Sequence, residues 1–143
     1  MPTDHKDYSG TPLWRKLGIA EGARVRAVGA PPGFDEALTA IAPLPGGVTF
    51  VARAGKDLDV VVLFVTRASD LARRFPVLVG AIGQAGRLWV AWPKKAAELD
   101  TDVDFDLVQS TGLAAGLVDN KSASITGVFQ GLQFVWRRAD RSR

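Results

Sequence analysis

The sequence predicts an α/β fold, a three-layer sandwich with a mainly parallel sheet and a C-terminal antiparallel hairpin, on three observations. Asp59 to Thr66, DVVVLFVT, is apolar at nearly every position, which marks a central strand buried on both faces. Extended stretches on either side of it alternate with helix-length stretches, the order expected of parallel strands joined by crossovers. In the last quarter the alternation stops: LVDNKSASI and GLQFVWRR are separated by too few residues for a helical crossover.

Taken in order, TPLWRKLGI predicts a short helix with Pro12 at its first position and Leu13, Trp14 and Leu17 on one face. Gly18 and Gly22 end it and release a first strand, Arg24 to Ala30. After the turn GAPPG, Asp35 and Glu36 open a helix of about two turns, DEALTAIA, where the positive end of the helix dipole favours them. The PLPGG punctuation stops it, Val48 to Ala52 is a second strand, and AGKDLD is a polar loop. The central strand leads into a crossover from Arg67 to Gly86, with Ser69 as cap, Asp70 in the first turn and Pro76 as a kink or restart. RLWVAW, Arg87 to Trp92, is the next strand, closed by Pro93. A loop and helix follow, with Phe105, Leu107, Val108, Leu113 and Leu117 as apolar positions, and then the hairpin.

All of this is expected to form one α/β domain over residues 8–138. Residues 1–7 lack an apolar anchor and are expected to be disordered, and 139–143 form a basic tail. The longest apolar run, Val60 to Val65, falls far short of the roughly 18 residues a membrane helix needs. The N-terminus also lacks the apolar segment of a secretion signal, so the expected location is cytoplasmic and no membrane partner is expected. With no cysteine and a single histidine, His5, disulfide, thiolate and iron–sulfur chemistry, a Ser-His-Asp triad and a His-rich metal site are excluded. The net charge of +3 speaks of solubility rather than of a nucleic-acid partner.

Two stretches stand out as places for a ligand. Gly29-Ala30-Pro31-Pro32-Gly33 with Phe34 lies between a strand and a helix, where phosphate cradles are built, although the two prolines carry no N–H to offer an anion. Ligands of parallel sheets sit beyond the carboxyl ends of the strands, and here those ends deliver Arg53, then Thr66 and Arg67, then Lys94 and Lys95. Such a cationic rim would attract a small anion or an acidic protein surface, unless it pairs with the nearby Glu98, Asp100, Asp102, Asp104 and Asp106. The alternating aspartates do not make a calcium loop, because Phe105 and Thr111 stand where its glycine and closing glutamate belong, so helix capping explains them better. Asp119, Asn120 and Lys121 form a polar patch at the start of the hairpin, suited to a turn, and Asn120 is counted among the candidate ligand-binding residues. Trp89 and Trp92 point to opposite faces and belong to the core with Trp14. Arginines 137, 138, 141 and 143 have no accompanying basic stripe with interleaved aromatics, which disfavours nucleic acid.

The phrases YSGTPLWRKLGI, VGAPPGF, DVVVLFVT, LWVAWPKK and GLVDNKSASI, read as a set from Tyr8 to Arg138, resemble a family of small, largely actinobacterial proteins described as a domain of unknown function. More distantly, the layout is similar to S-adenosylmethionine-dependent methyltransferases in reduced form. LGIAEGARVRAVGA stands where their first strand and glycine loop would be, and IGQAGRLWVAW resembles the turn before a later strand. That resemblance implies a Rossmann-like, methyltransferase-like sheet. The acids that those enzymes carry near the ends of their first two strands are replaced by Ala27-Val28-Gly29 and Arg53, and one strand and helix are absent. The expectation is therefore a non-catalytic binding module with no cofactor and no metal, taking an anionic ligand or acidic partner at the rim. The alternative is a reduced methyltransferase with S-adenosylmethionine as cofactor. The outer edge of the hairpin suits pairing with a second copy.

Overall fold

A computed structural model describes residues 10–53 and 55–138. The expectations for 1–7 and 139–143 lie outside the described residues.

Six strands form one sheet in the order β2-β1-β3-β4-β6-β5. They are β1 (Arg24–Val28), β2 (Thr49–Phe50), β3 (Leu58–Phe64), β4 (Ile82–Pro93), β5 (Leu117–Ser124) and β6 (Phe129–Trp136). The first four run parallel, and β6 alone runs against them between β4 and β5. The fold is thus the expected α/β sandwich, with one reversed strand next to the edge.

β3 sits third in the order, and Val60, Val61, Val62 and Leu63 are wholly buried. Burying each such side chain contributes ~1.5–3 kcal/mol, so this strand holds the two outer layers together. On one side it packs with Leu13 and Leu17, at and just beyond α1 (Leu13–Lys16), and with Phe34 and Leu38 of α2 (Phe34–Leu38). On the other side lie Leu71, Phe75 and Leu78 of α3 (Ala68–Val79) and Val108 of α4 (Phe105–Ala114). Trp89 and Trp92 fall into opposite cores, as alternation along a strand requires. The Trp89 indole Nε1 donates to the Leu17 carbonyl at 3.1 Å, and that of Trp14 to the Ala42 carbonyl at 3.0 Å.

Several boundaries differ from expectation. β1 stops at Val28 because Gly29 turns with φ 72, and a Cβ there would lie 2.9 Å from the Phe64 carbonyl oxygen. The second strand shrinks to Thr49–Phe50 and α2 to Phe34–Leu38, since Gly33 and the PLPGG stretch bracket only a short apolar segment. Leu58 is not in a polar loop but fully buried at the start of β3. β4 begins at Ile82, ahead of the expected Arg87: the register jumps from Leu58↔Ile82 to Val60↔Arg87, and the bulge brings Gly86 against the Leu58 carbonyl. Ser69 lies inside α3 and does not cap it; that role falls to Asp102, whose Oδ1 accepts from Ala68 N at 2.6 Å. Pro76 is accommodated within a continuous α3. Phe105 and Leu113 are exposed, and Gly112 instead makes the closest approach of α4 to the sheet, against the Phe134 ring. No helix among the described residues is long and apolar enough to cross a membrane.

Gly112→Ala puts a methyl group into the Phe134 ring, so overpacking of ~1–3 kcal/mol outweighs the ~1 kcal/mol that alanine gains in helix propensity. The urea unfolding midpoint should fall, whereas Leu113→Ala at the exposed neighbour should leave it nearly unchanged.

Candidate ligand-binding cleft

Pro93 has no N–H to extend the ladder, so β4 ends there, and Lys94 N turns to the Val128 carbonyl at 2.8 Å, fastening the exit to the hairpin turn. A single turn, Lys95–Ala97, and a left-handed Glu98 (φ 54) send the chain back across the sheet edge. The acidic run then ties down three neighbours in succession. Asp100 Oδ2 takes Arg67 Nη2 at 2.7 Å, Thr101 Oγ1 donates to the Thr66 carbonyl at 2.7 Å, and Asp102 caps α3. Asp104 caps α4 by accepting from Leu107 N at 2.9 Å.

Between this return loop, the exit of β4 and the hairpin opens a cleft of about 1080 Å³. Its floor is apolar: Trp92 lies edge-on to Phe105 with ring centroids 6.4 Å apart, beside Leu99 and Val103. Lys94 and Lys95 stand on one wall, Asp102, Asp104 and Asp106 on another, with Ser124 and Gln130 from the hairpin. Lys94 Nζ donates to Ser124 Oγ at 2.7 Å. Burial, and then the nearby Lys16, pull the Lys94 ammonium below its ordinary value. A partly buried, repelled ammonium gains most from an incoming anion. The same causes, burial first and then Arg87 and Lys16, lower Lys121. Arg67 and Asp100 shift apart, the guanidinium upward and the carboxyl downward, through their shared hydrogen bond and charge attraction.

Of the residues singled out from the sequence, Lys94 and Lys95 line this cleft. Thr66 and Arg67 do not line it and are occupied by Thr101 and Asp100, so the pairing with the acidic run holds for Arg67. Arg53 follows β2, at the opposite edge of the sheet from the hairpin, so the four bases do not converge on one crevice. Gly29 and Ala30 are exposed beyond β1, Gly33 starts α2 at φ 92, and Phe34 is buried against Phe64 with ring centroids 5.0 Å apart. Asn120 faces away from the cleft and accepts from Gln133 Nε2 at 2.8 Å. Sequence reasoning missed Trp92, Phe105 and Ser124 as cleft walls. Lys94 and Ser124 meet across a separation of 30 residues, which no local spacing announces.

No family model matches this sequence, and no curated protein does either. Solved structures do match in shape. The ribosomal protein L11 methylase of Lactobacillus delbrueckii subsp. bulgaricus superposes with a TM-score of 0.56 at 11% identity, covering 88% of this chain and 75% of that one. Magnesium protoporphyrin IX methyltransferase of Synechocystis PCC 6803, with bound S-adenosylmethionine, gives 0.55 at 12% identity over 87% and 74%. A pericyclic reaction enzyme gives 0.52 at 14% over 90% of this chain and 48% of that one. The fold is therefore that of the Rossmann-like methyltransferases, a scaffold that also carries other chemistry.

The residues beyond β1 do not fit S-adenosylmethionine well. Pro31 and Pro32 offer no N–H, and Phe34 N is spent on the Pro31 carbonyl at 3.2 Å. The space a side chain at Gly29 would fill is closed by the Phe64 backbone, and Arg53 rather than an acid follows β2.

The Asp100 titration gives a direct check on the loop. Its folded-state value is depressed, so the stabilisation from the pair is present above the ordinary carboxylate range and is lost as pH falls through the lowered value. In Arg67→Gln, the Asp100 midpoint followed by carboxyl-carbon NMR should return upward to the ordinary range.

Proposed function

We propose that this chain is a ligand-binding module on a methyltransferase-type scaffold, holding a small amphipathic anion in the cleft beyond β4. One observation carries the reading: a space of about 1080 Å³ with Lys94 and Lys95 above an apolar floor of Trp92 and Phe105. Clefts of this size that combine an apolar lining with a few convergent polar groups are the usual form of small-molecule sites. The anionic end of the ligand meets Lys94, already partly desolvated and held by Ser124, so little reorganisation accompanies binding. Its apolar body lies on the exposed Phe105 ring and Leu99, over the buried edge of Trp92. The three aspartates on the far wall select against a ligand that is anionic at both ends, which narrows the expectation of a purely cationic rim. An acidic protein surface is disfavoured on the same ground. The role is binding rather than catalysis, and a cytoplasmic location belongs to the same proposal.

The second reading is a reduced methyltransferase. What favours it is the fold shared with methyltransferases, one of them with S-adenosylmethionine bound. Such an enzyme acting on an already nucleophilic substrate needs neither cysteine, histidine nor metal. S-adenosylmethionine would then be its cofactor, held beyond β1 rather than in the cleft.

Calorimetry and amide NMR with benzoate, indole-3-acetate, S-adenosylmethionine and S-adenosylhomocysteine separate the two. The aromatic carboxylates should perturb Lys94, Lys95, Phe105 and Ser124, and Lys94→Ala combined with Lys95→Ala should weaken them about tenfold or more, a loss of about 1.4 kcal/mol. Micromolar binding of either adenosyl compound, with shifts around Gly29, would decide for the enzyme.

A further inference from the structure

A second concave surface arises from how β2 is joined to β3. Parallel strands of one sheet are ordinarily linked by a crossover of a dozen residues or more, whose helix covers one face of the sheet, and β2 and β3 lie on either side of β1. Here Phe50 ends β2 and Leu58 begins β3, and the described residues of the link between them form no helix. Val51 N donates to the Val25 carbonyl at 2.7 Å, and Arg24 Nη1 donates to the Lys56 carbonyl at 3.1 Å, so the link covers only the start of β1. Farther along β1, on the α3 side, Val28 is buried at the margin of the α3 core and Arg26 is half-buried beside it.

At that place Arg26 and Val28 meet Arg73, Arg74, Val77 and Leu78 of α3 around a pocket of about 190 Å³. Val77 is 60% exposed, an unusual position for valine on a helix that otherwise buries Leu71, Phe75 and Leu78. Arg73 Nη2 is engaged by Asp70 Oδ1 at 2.6 Å. The side chains of Arg26 and Arg74 have neither an ion pair nor a hydrogen bond among the described residues. The rim therefore carries two uncompensated guanidinium charges over an apolar base.

We propose that this pocket binds a small phosphate-bearing molecule. Guanidinium groups present planar forks of donors that match phosphate oxygens, and a phosphate monoester carries roughly −1.5 to −2 charges at neutral pH, which balances the two free arginines. A carboxylate would leave one of them unmatched. The pocket is smaller than the roughly 300 Å³ at which drug-sized sites begin, so it takes the phosphate and a short apolar group lying against Val28 and Val77. This site lies on the α3 side of β1 and shares no residue with the cleft beyond β4.

The test titrates inorganic phosphate, phenyl phosphate and benzoate into the full chain, read by calorimetry and amide NMR. Phenyl phosphate should saturate with a Kd at or below about 1 mM, shift Arg26, Val28 and Val77, and bind more tightly than benzoate at these residues. Arg26→Gln and Arg74→Gln should each weaken it at these residues at least about tenfold, while Arg137→Gln, at an exposed arginine just past β6 that lines neither pocket, leaves it unchanged. Circular dichroism checks the fold, and if Arg26→Gln fails to fold, Arg74→Gln on α3 carries the test. The proposal is overturned if phenyl phosphate does not saturate by about 10 mM, if the folded arginine variants bind it as well as the parent, or if benzoate binds equally well there. Failure of the carboxylates in the cleft would sink the cleft reading and leave this one standing.

Discussion

The dry interior of β3 is the constraint on which the rest of this molecule depends. Val60 to Leu63 touch no solvent, and a strand with apolar side chains on both faces is stable only when layers cover it above and below. That requirement places α1 and α2 on one side and α3 and α4 on the other. It also fixes β1 and β4 as parallel neighbours, so their carboxyl ends open at the same edge of the sheet. The cleft follows from this: the loop that leaves β4 must return over that edge to reach α4.

Charge then decides the shape of the return loop. A run of aspartates free in solvent would repel itself and favour extension. Here Asp100, Asp102 and Asp104 are each matched to a different donor: a guanidinium, the first N–H of α3 and an N–H of α4. The run behaves as a set of caps that join the exit of β3 to the start of α4. Asp100 thereby engages Arg67, which leaves Lys94 and Lys95 as the cations facing the cleft, beside an apolar floor that the sequence assigns to core.

The architecture was legible in the sequence because it is written in local pattern. The doubly apolar β3, the hairpin spacing and the opposite faces of Trp89 and Trp92 each follow from alternation within a few residues. Asp104 as a cap was readable for the same reason, being three residues from its donor. Asp102 was not, because it caps a helix 34 residues earlier in the chain while Ser69, the local candidate, lies one position inside that helix. The site was only half legible. Proximity to a strand end pointed to Lys94 and Lys95, but the same logic put Arg53 and Arg67 beside them. Strand order places Arg53 at the far edge, and the acidic loop engages Arg67. Nothing in sequence spacing tells that Arg26 and Arg74 share a pocket, since that juxtaposition depends on how α3 lies against β1.

The Lys121 ammonium donates to the Lys16 carbonyl at 2.8 Å, across a separation of 105 residues. Its partner strand β6 is also what β4 pairs with on that side. α1 is thus clamped by a strand that follows it by some 105 residues in the chain. During translation the four parallel strands can begin to associate, yet α1 is not fully secured until the ribosome has released the hairpin. A chain stopped before β5 leaves Trp89, over whose ring the Lys121 ammonium lies at 6.0 Å, without that closure.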